Sequence, residues 1–357
     1  MAAFLHWLLV GVGGLMLLAT ALPLLRKDDW WVRVFDFPRL QIAALTSLVM
    51  VALVWEEGRA LIGAPHAEQA LIALLAVAVA YQCYRMLPYT PLARQQVQAS
   101  RAGAPEARVS LLFANVLMPN RAAARLLALV READPDIVLA VETDAWWQGA
   151  LEDLARTHPH TVQQPQDNTY GMLLYSRLPL HGAQVKFLVQ DDVPSIHACV
   201  ELRNGERIEL RCLHPRPPAP GEADRSTERD AELLIVGREV KARQQPEVVL
   251  GDLNDVAWSH TNTLFKHVSG LLDPRVGRGF FHTFNAKWPW LRYPLDHCFH
   301  SPHFRLVDFR RLPAWGSDHF PVYICLSFEP QARAEQPQLT ADAQERAEAE
   351  DKIREAV

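Results

Sequence analysis

The chain has 357 residues, of which 49% are apolar, and a formal net charge of −5. The length allows one large domain with an additional segment, and the charge excludes a globally basic protein of the kind that coats nucleic acid, although a local basic patch stays compatible with it. The five scattered cysteines include no CxxC pair and no zinc-ligand spacing, so they indicate free thiols and not a disulfide framework.

Three apolar runs, over residues 4–25, 40–55 and 67–87, come first along the chain. At 1.5 Å per residue the first run is long enough to cross a hydrocarbon core about 30 Å thick. The second run is short unless residues 35–38 contribute to it. We therefore predict that residues 1–87 form a membrane anchor of three transmembrane helices, and that the protein is integral to a bilayer.

The basic residues around these runs bear on processing and orientation. Arg26 and Lys27 follow the first apolar run, whereas the basic residues of a cleavable signal peptide precede its apolar run, so we favour a retained helix. The second loop carries Arg59 alone. The first loop and the segment after the third run carry four basic residues each: Arg26, Lys27, Arg33 and Arg39, then Arg85, Arg94, Arg101 and Arg108. By the positive-inside rule this predicts an outside N-terminus and a cytoplasmic C-terminal domain.

The rest of the chain divides by composition. Residues 88–107 are rich in Pro, Ala, Gln and Arg and have no apolar period, which predicts a linker. Residues 108–329 have the patterning of a folded domain. Residues 330–357 are predicted to be a charged tail, either a solvated helix or a disordered segment outside the core.

The folded domain begins with a strand over 108–114, a helix over 121–132 and a second strand over 137–141. Strand, helix and strand at this spacing predict an α/β layer with a covered sheet. The patterning also predicts a helix and five further strands: a helix over 226–242, and strands over 171–175, 195–202, 207–213, 247–250 and 323–328.

Polar side chains follow the ends of the apolar strands or precede their starts. These residues are Asn115, Glu142, His214, Asp252, Asn254, Asp296, His297, Asp318 and His319. Taken singly, each has an ordinary structural explanation, such as the turn-forming tendency of Gly, Asp and Asn in GDLN. Together they predict one site at an edge of the sheets, where a rigid scaffold can hold it. Carboxylate and amide oxygens without thiols favour Mg²⁺ or Mn²⁺ as the cofactor.

The order of these motifs resembles the DNase I-like endonuclease/exonuclease/phosphatase superfamily. The resemblance lies in Asn115, Glu142, His214, GDLND (251–255), PLDH (294–297) and GSDH (316–319), with GMLLYSRLPL (171–180) between them. It covers about residues 108–329 and implies a four-layer α/β/β/α sandwich. Three membrane helices before this domain are typical of a membrane-anchored bacterial branch, which implies the bacterial inner membrane as the location.

The resemblance also implies roles for the site residues. Glu142 would bind the divalent metal, with Asn115 and Asp318 close to it. Asp252 would position or deprotonate the attacking water, and Asn254 would hold the phosphate or the transition state.

The histidines and one arginine complete the implied site. His319 would contact the phosphoryl oxygens and be oriented by Asp296. His214 would act as a general acid or a phosphate contact. Arg216 and His297 would assist in binding the substrate.

The sequence thus favours a membrane-anchored, metal-dependent phosphoesterase acting on a phosphate ester or a pyrophosphate, with lipid-linked substrates included. Three alternatives stay open at this point: a Mg²⁺-dependent DNA or RNA endonuclease, a sphingomyelinase-like phospholipase and a non-catalytic scaffold. An endonuclease needs a basic groove with stacking aromatics, and the candidates are Arg211, Arg216, Arg275, Arg278, Arg292, Trp288 and Trp290. The oligomeric state stays open.

Overall fold

The computed structural model describes residues 2–57, 66–101 and 104–357. Its helices are α1 (Ala2–Ala21), α2 (Trp30–Arg33), α3 (Arg39–Glu57), α4 (His66–Met86), α5 (Ala123–Ala133), α6 (Ala145–Ala150), α7 (Thr227–Arg243), α8 (His260–Ser269), α9 (Ala332–Glu335) and α10 (Ala343–Ala356). Its strands are β1 (Arg108–Asn115), β2 (Ile137–Val141), β3 (His160–Gln164), β4 (Met172–Ser176), β5 (Leu180–Lys186), β6 (Ser195–Glu201), β7 (Arg207–Leu213), β8 (Glu247–Asp252), β9 (Asp296–His300), β10 (Phe304–Arg311) and β11 (Val322–Phe328).

The strands form two sheets, with the orders β10-β11-β1-β2-β4-β3 and β5-β6-β7-β8-β9. The pairs β1–β2 and β7–β8 are parallel, and the other neighbouring strands are antiparallel. The sheets pack face to face around an apolar core that includes Leu139 from β2 and Leu210 from β7. α5 and α6 cover the outer face of the first sheet, and α7 and α8 cover that of the second. The predicted four-layer α/β/β/α sandwich is confirmed.

The predicted strands and helices of this domain are all present, with ends shifted by at most two residues. β3, β5, β9 and β10 were not predicted from the patterning, and all four lie at a sheet edge. β9 is buried, but three of its five residues are Asp or His, so it has no apolar pattern. β5 is largely exposed, and a bulge between Leu306 and Asp308 interrupts the register of β10. Edge strands bury fewer side chains, so their alternation of apolar and polar residues is weaker.

Within the described residues, Ala3–Leu25 and His66–Tyr89 are each long and apolar enough to span a membrane. The second predicted span appears as two helices, Trp30–Asp36 and Arg39–Trp55, which meet at a bend of 73°. The described residues thus contain two candidate spans, or three if the bent pair counts as one. Arg59, which entered the orientation argument, lies outside the described residues.

The first half of the bent pair packs against the two-sheet domain. Arg33 is buried, with its Nη2 2.9 Å from the Asp230 carboxylate of α7 and its Nε donating to Ser226 Oγ at 3.3 Å. Lys352 of α10 lies 3.0 Å from the same Asp230 carboxylate and 2.6 Å from Asp28. Three chain segments that are distant in sequence therefore share one buried ion-pair network.

The segments on either side of the two-sheet domain are not detached from it. In the predicted linker, Val97 is buried in the core between the sheets, and Ser100 N–H donates to Leu306 O at 2.8 Å. In the predicted tail, Ala349 of α10 is buried against Leu234 of α7. This corrects the expectation that residues 330–357 lie outside the core. Both segments are held by single buried residues and by ion pairs. Because such contacts leave no apolar period in the sequence, the sequence did not reveal them. The boundaries at 87, 107 and 329 stay predictions.

Gly251 allows β7 and β8 to approach each other directly before Asp252. Its φ is +155°, and a Cβ at this position would lie 1.9 Å from Leu213 O. Any side chain at position 251 would therefore push β7 and β8 apart at their carboxyl ends, where His214 and Asp252 lie.

We expect Arg33→Ala to destabilise the full-length protein by about 3–5 kcal/mol, because it leaves the buried Asp230 carboxylate without one of its cations. The measurement is thermal unfolding in detergent. Arg26→Ala is the matched control, since Arg26 is 53% exposed and lies 3.6 Å from Glu348, and exposed pairs contribute about 0–1 kcal/mol. Equal melting temperatures for the two variants would contradict the proposed role of the network.

Gly251→Ala should lower the free energy of unfolding by more than about 2 kcal/mol, because the added methyl overlaps the Leu213 carbonyl and strains φ. Gly149→Ala, on α6, is the control, since a Cβ there meets no atom within 4 Å. That control should be neutral or slightly stabilising. Thermal unfolding measures both, and an unchanged melting temperature for Gly251→Ala would contradict the prediction.

Candidate active site

Both sheets contribute to one polar pocket. Asn115 ends β1 and Glu142 directly follows β2 in the first sheet, and Asp252 ends β8 in the second. Asn115 Nδ2 donates to Glu142 Oε1 at 2.7 Å and to Asp252 Oδ2 at 3.1 Å. One amide group thus joins carboxylates from the two sheets, as expected from the positions of these residues at strand ends.

His319 lies between two carboxylates on the opposite side of the pocket. Its Nδ1 donates to Asp296 Oδ2 at 3.0 Å, and its Nε2 lies 3.6 Å from Asp252 Oδ2. All three side chains are buried. Burial by itself lowers the pKa of an imidazole, but Asp296 and Asp252 outweigh it and raise the pKa of His319 to about 10. The ring is therefore a cation at neutral pH, with its orientation fixed by Asp296.

Among the residues that the structure describes, no cationic side chain lies within hydrogen-bonding distance of the Glu142 carboxylate. Its oxygens accept from Asn115 Nδ2 and, at 3.3 Å, from Met118 N–H, which are both neutral donors. Burial raises the pKa of Glu142 to about 7. The residue also has a φ of +61°, and such backbone strain in a non-glycine residue is concentrated at functional sites.

The pocket fits a divalent cation. Oxygen atoms of Glu142, Asn115 and Asp318 are the hard donors that Mg²⁺ and Mn²⁺ prefer, and a cation beside Glu142 would compensate its buried charge. Asp252, Asp296 and His319 also bring potential ligand atoms within 4.8 Å of one another. Asp252 and Asp296 share His319 as a partner, whereas Glu142 accepts only from neutral donors, so the Glu142 side of the pocket suits the ion better.

The turn after β8 is held by a residue that the sequence did not reveal. Asp252 Oδ1 accepts from Asn254 N–H at 3.0 Å, and Asn254 Nδ2 donates to Pro215 O at 3.0 Å. Arg229 of α7 donates to Asn254 O at 2.7 Å and is buried beside Asp230. Arg229 is one of many charged residues in α7, so nothing in the pattern singles it out.

His214 and Arg216 form one wall of the pocket with Tyr170. The rings of His214 and Tyr170 lie 5.4 Å apart, and the Arg216 guanidinium lies 5.1 Å from the Tyr170 ring. Burial lowers the pKa of His214 to about 4. His214 is therefore neutral at physiological pH, which suits a phosphate contact better than a general acid. Arg216 is also paired with Asp192 at 2.5 Å.

His297 does not face the pocket, although the sequence placed it among the substrate-binding residues. Its Nδ1 lies 2.7 Å from Arg275 Nη2, and its Nε2 lies 2.8 Å from Asp255 O. Successive side chains of a strand point to opposite faces, so Asp296 faces the pocket and His297 faces away from it. This corrects the expected role of His297.

The arginines considered for a nucleic-acid groove do not line one in the described residues. Arg211 is buried and paired with Glu247, and Arg275 is buried and paired with Asp273. Arg278 donates to backbone oxygens, including Pro274 O at 3.0 Å. Of the basic candidates, Arg216, Arg278 and Arg292 are half-buried.

Further residues that orient the site were missed because their role is indirect. Ser317 Oγ donates to Asn115 O at 2.9 Å and accepts from His319 N–H at 3.0 Å. Thr283 Oγ1 accepts from Asp296 N–H at 3.2 Å, and the Phe284 ring lies 5.0 Å from the His319 ring. Ser317 belongs to the GSDH motif, which is the one signal that could have indicated it.

Comparison with known proteins agrees with this geometry. Residues 112–319 match the Endonuclease/Exonuclease/phosphatase family. An endonuclease/exonuclease/phosphatase from Beutenbergia cavernae DSM 12333 is similar in structure, with a TM-score of 0.50 and 20% identity over 62% of this chain and 72% of that one. D. rerio TDP2 complexed with single strand DNA product has a TM-score of 0.51 and 16% identity over 62% of this chain and 99% of that one. At such identities the likeness shows the fold alone. No curated protein sequence is a significant match.

We expect Mn²⁺ to raise the melting temperature of the full-length protein in detergent, because an ion that binds only the folded state stabilises it, by about 2.7 kcal/mol at 100 times its Kd. Glu142→Gln should abolish this rise. Glu152→Gln, which removes an exposed carboxylate, is the control and should keep the rise. A full rise in Glu142→Gln would show that the ion binds elsewhere.

Proposed function

Because the chain belongs to the Endonuclease/Exonuclease/phosphatase family, whose members are mostly phosphoester hydrolases, we propose that it is a membrane-anchored, divalent-metal-dependent phosphoesterase. Its substrate is a phosphate ester or pyrophosphate held at the surface of a bilayer, and a lipid-linked one is favoured.

The observation that carries this proposal is the contact between the candidate membrane helices and the loop that follows Asp252. Trp258 Nε1 donates to Asp36 O at 2.7 Å, directly before α3, and Arg85 of α4 donates to Trp258 O at 2.5 Å. Tyr89, just after α4, donates to Ala257 O at 2.5 Å. The pocket therefore lies at the end of the domain that meets the helices, where phosphate groups of lipids are available.

Each side chain of the pocket has a separate role in the proposed hydrolysis of a phosphoester. A bound cation would neutralise the phosphate and the charge that develops on the leaving oxygen. Asp252 is positioned to accept a proton from the attacking water, and burial, the largest effect on it, raises its pKa. The His319 cation donates from Nε2 to a phosphoryl oxygen, and Asp296 keeps the ring in that orientation.

A second candidate function, cleavage of nucleic acid, is less well supported. The binding of a nucleic-acid backbone requires several cations around the site, and Arg211 and Arg275 are committed to buried ion pairs. Phospholipid cleavage of the sphingomyelinase type would use the same metal-assisted chemistry at the same membrane surface as the proposed phosphoesterase. The two functions differ in the substrate that is cleaved.

The test is a substrate panel with the full-length protein in lipid nanodiscs containing Mg²⁺ or Mn²⁺. The panel holds lipid pyrophosphates, phospholipids, inositol phosphates and plasmid DNA. We expect turnover of a lipid phosphate or pyrophosphate that chelation abolishes. Cleavage of DNA alone would overturn the lipid substrate, and an absence of turnover on every substrate would favour a scaffold.

Asp296→Asn should lower kcat by about 10²–10⁴-fold with little change in KM, since it removes the charge that orients His319 and stabilises its protonated form. The measurement is hydrolysis of bis(4-nitrophenyl) phosphate, or of the best substrate of the panel. Asp308→Asn, which affects an acid paired with Arg310 at 2.7 Å on β10, is the control and should leave kcat unchanged. An equally active Asp296→Asn enzyme would refute the role of the pair.

A further inference from the structure

A short loop beside the active site exposes large apolar side chains. Residues 285–292, here called the tryptophan loop, include Trp288, Trp290 and Leu291, which are 62%, 82% and 50% exposed. Asn285 Oδ1 accepts from Lys287 N–H at 2.8 Å and from Trp288 N–H at 3.2 Å, so the turn has internal support. Exposing two indoles and a leucine in one loop to water is unfavourable in free energy, and such an exposed apolar patch marks an interaction surface.

One end of the tryptophan loop touches the active site. Ala286 N–H donates to Asp318 O at 2.6 Å. Phe284, directly before the loop, packs its ring 5.0 Å from the His319 ring. The position of the loop is thus tied to the two residues of the SDH motif that border the pocket.

The other end of the tryptophan loop touches the start of the second membrane helix. Gln41, in the first turn of α3, donates from Nε2 to Trp290 O at 2.7 Å. Behind the loop, the Tyr293 ring lies 5.8 Å from the Phe37 ring. The start of a helix that enters a bilayer lies at the level of the lipid headgroups, where Trp side chains are enriched.

Two arginines, Arg292 at the end of the loop and Arg311 beside it, lack acidic partners among the described residues. The guanidinium groups of Arg292 and Arg311 lie 5.0 Å and 4.1 Å from the centre of the same Phe320 ring. Within the part of the chain that the structure describes, neither forms an ion pair with a carboxylate. Arg292 Nε donates to Asn285 O at 3.4 Å and Arg311 Nη1 to His282 O at 2.9 Å, which leaves both charges uncompensated. Near an anionic bilayer each such cation contributes about 1 kcal/mol of binding.

We propose that the tryptophan loop, with Arg292 and Arg311, is a membrane-contacting lip of the active site. Trp288, Trp290 and Leu291 enter the headgroup layer of an anionic bilayer, and the two arginines bind lipid phosphates. It follows, and this step rests on the proposed function, that a substrate phosphate reaches the pocket while its apolar part stays in the bilayer. The direct contact of the loop with α3 favours a lipid surface over a nucleic acid as the partner.

The test measures the depth of the loop without any turnover. A nitroxide is attached to Leu291→Cys in full-length protein that also carries Cys83→Ser and Cys199→Ser, reconstituted in nanodiscs containing phosphatidylglycerol. Collision rates with oxygen and with a water-soluble nickel chelate are measured by electron paramagnetic resonance. Glu206→Cys, an exposed position in the β6–β7 turn at the opposite end of the domain, is the control label site.

We expect the ratio of oxygen to nickel collisions to be several-fold higher at position 291 than at position 206. The double variant Trp288→Ala with Trp290→Ala should lower this ratio. The double variant Arg292→Gln with Arg311→Gln should lower it too, and so should zwitterionic nanodiscs. The charge-conserving double variant Arg292→Lys with Arg311→Lys should keep the ratio of the unsubstituted loop. Thermal unfolding confirms that each variant is folded. Equal ratios at the two positions would overturn the proposal. Nickel access at position 291 that only a single-stranded oligonucleotide blocks would also overturn it, in favour of a nucleic-acid surface. A failed substrate panel would leave this depth result standing and would refute only the proposed function.

Discussion

The pocket depends on a single buried imidazolium between two carboxylates. Asp252 and Asp296 come from neighbouring strands, and two buried negative charges at such close range repel each other strongly. His319 offsets this repulsion by donating to Asp296 and facing Asp252. Asn115 completes the arrangement, because its amide group connects Asp252 to Glu142 across the two sheets. The remaining charge, on Glu142, creates the local demand for a cation.

The same turn that carries Asp252 also connects the pocket to the N-terminal helices. Arg229 donates to the carbonyl of Asn254 and pairs with Asp230, and Asp230 pairs in turn with Arg33 of α2. The N-terminal helical segment is therefore part of the support of the turn that carries Asp252. For this reason the full-length chain, and not the isolated domain, is the appropriate form for measurements of activity.

Much of the fold and the main site residues could be predicted from the sequence, because buried strands that end in a polar residue leave a local signal. Glu142 directly after IVLAV is such a case. The prediction that His297 binds the substrate was wrong, because a sequence motif does not show which face of the strand each of its side chains occupies. Arg229 and Ser317 could not be found, since they act through backbone atoms of residues distant in sequence. Arg33 was counted as a topological signal, although it is buried against Asp230, so the cytoplasmic orientation stays a prediction.

We propose that a divalent ion at Glu142 lies against a phosphoryl group in this pocket. The most direct measurement is ³¹P electron–nuclear double resonance on Mn²⁺ bound to the full-length protein in nanodiscs, with a non-hydrolysable phosphonate analogue of the substrate. We expect a ³¹P coupling to the bound ion that disappears in Glu142→Gln. Bound Mn²⁺ with no phosphorus coupling, or with a coupling that Glu142→Gln leaves intact, would contradict it.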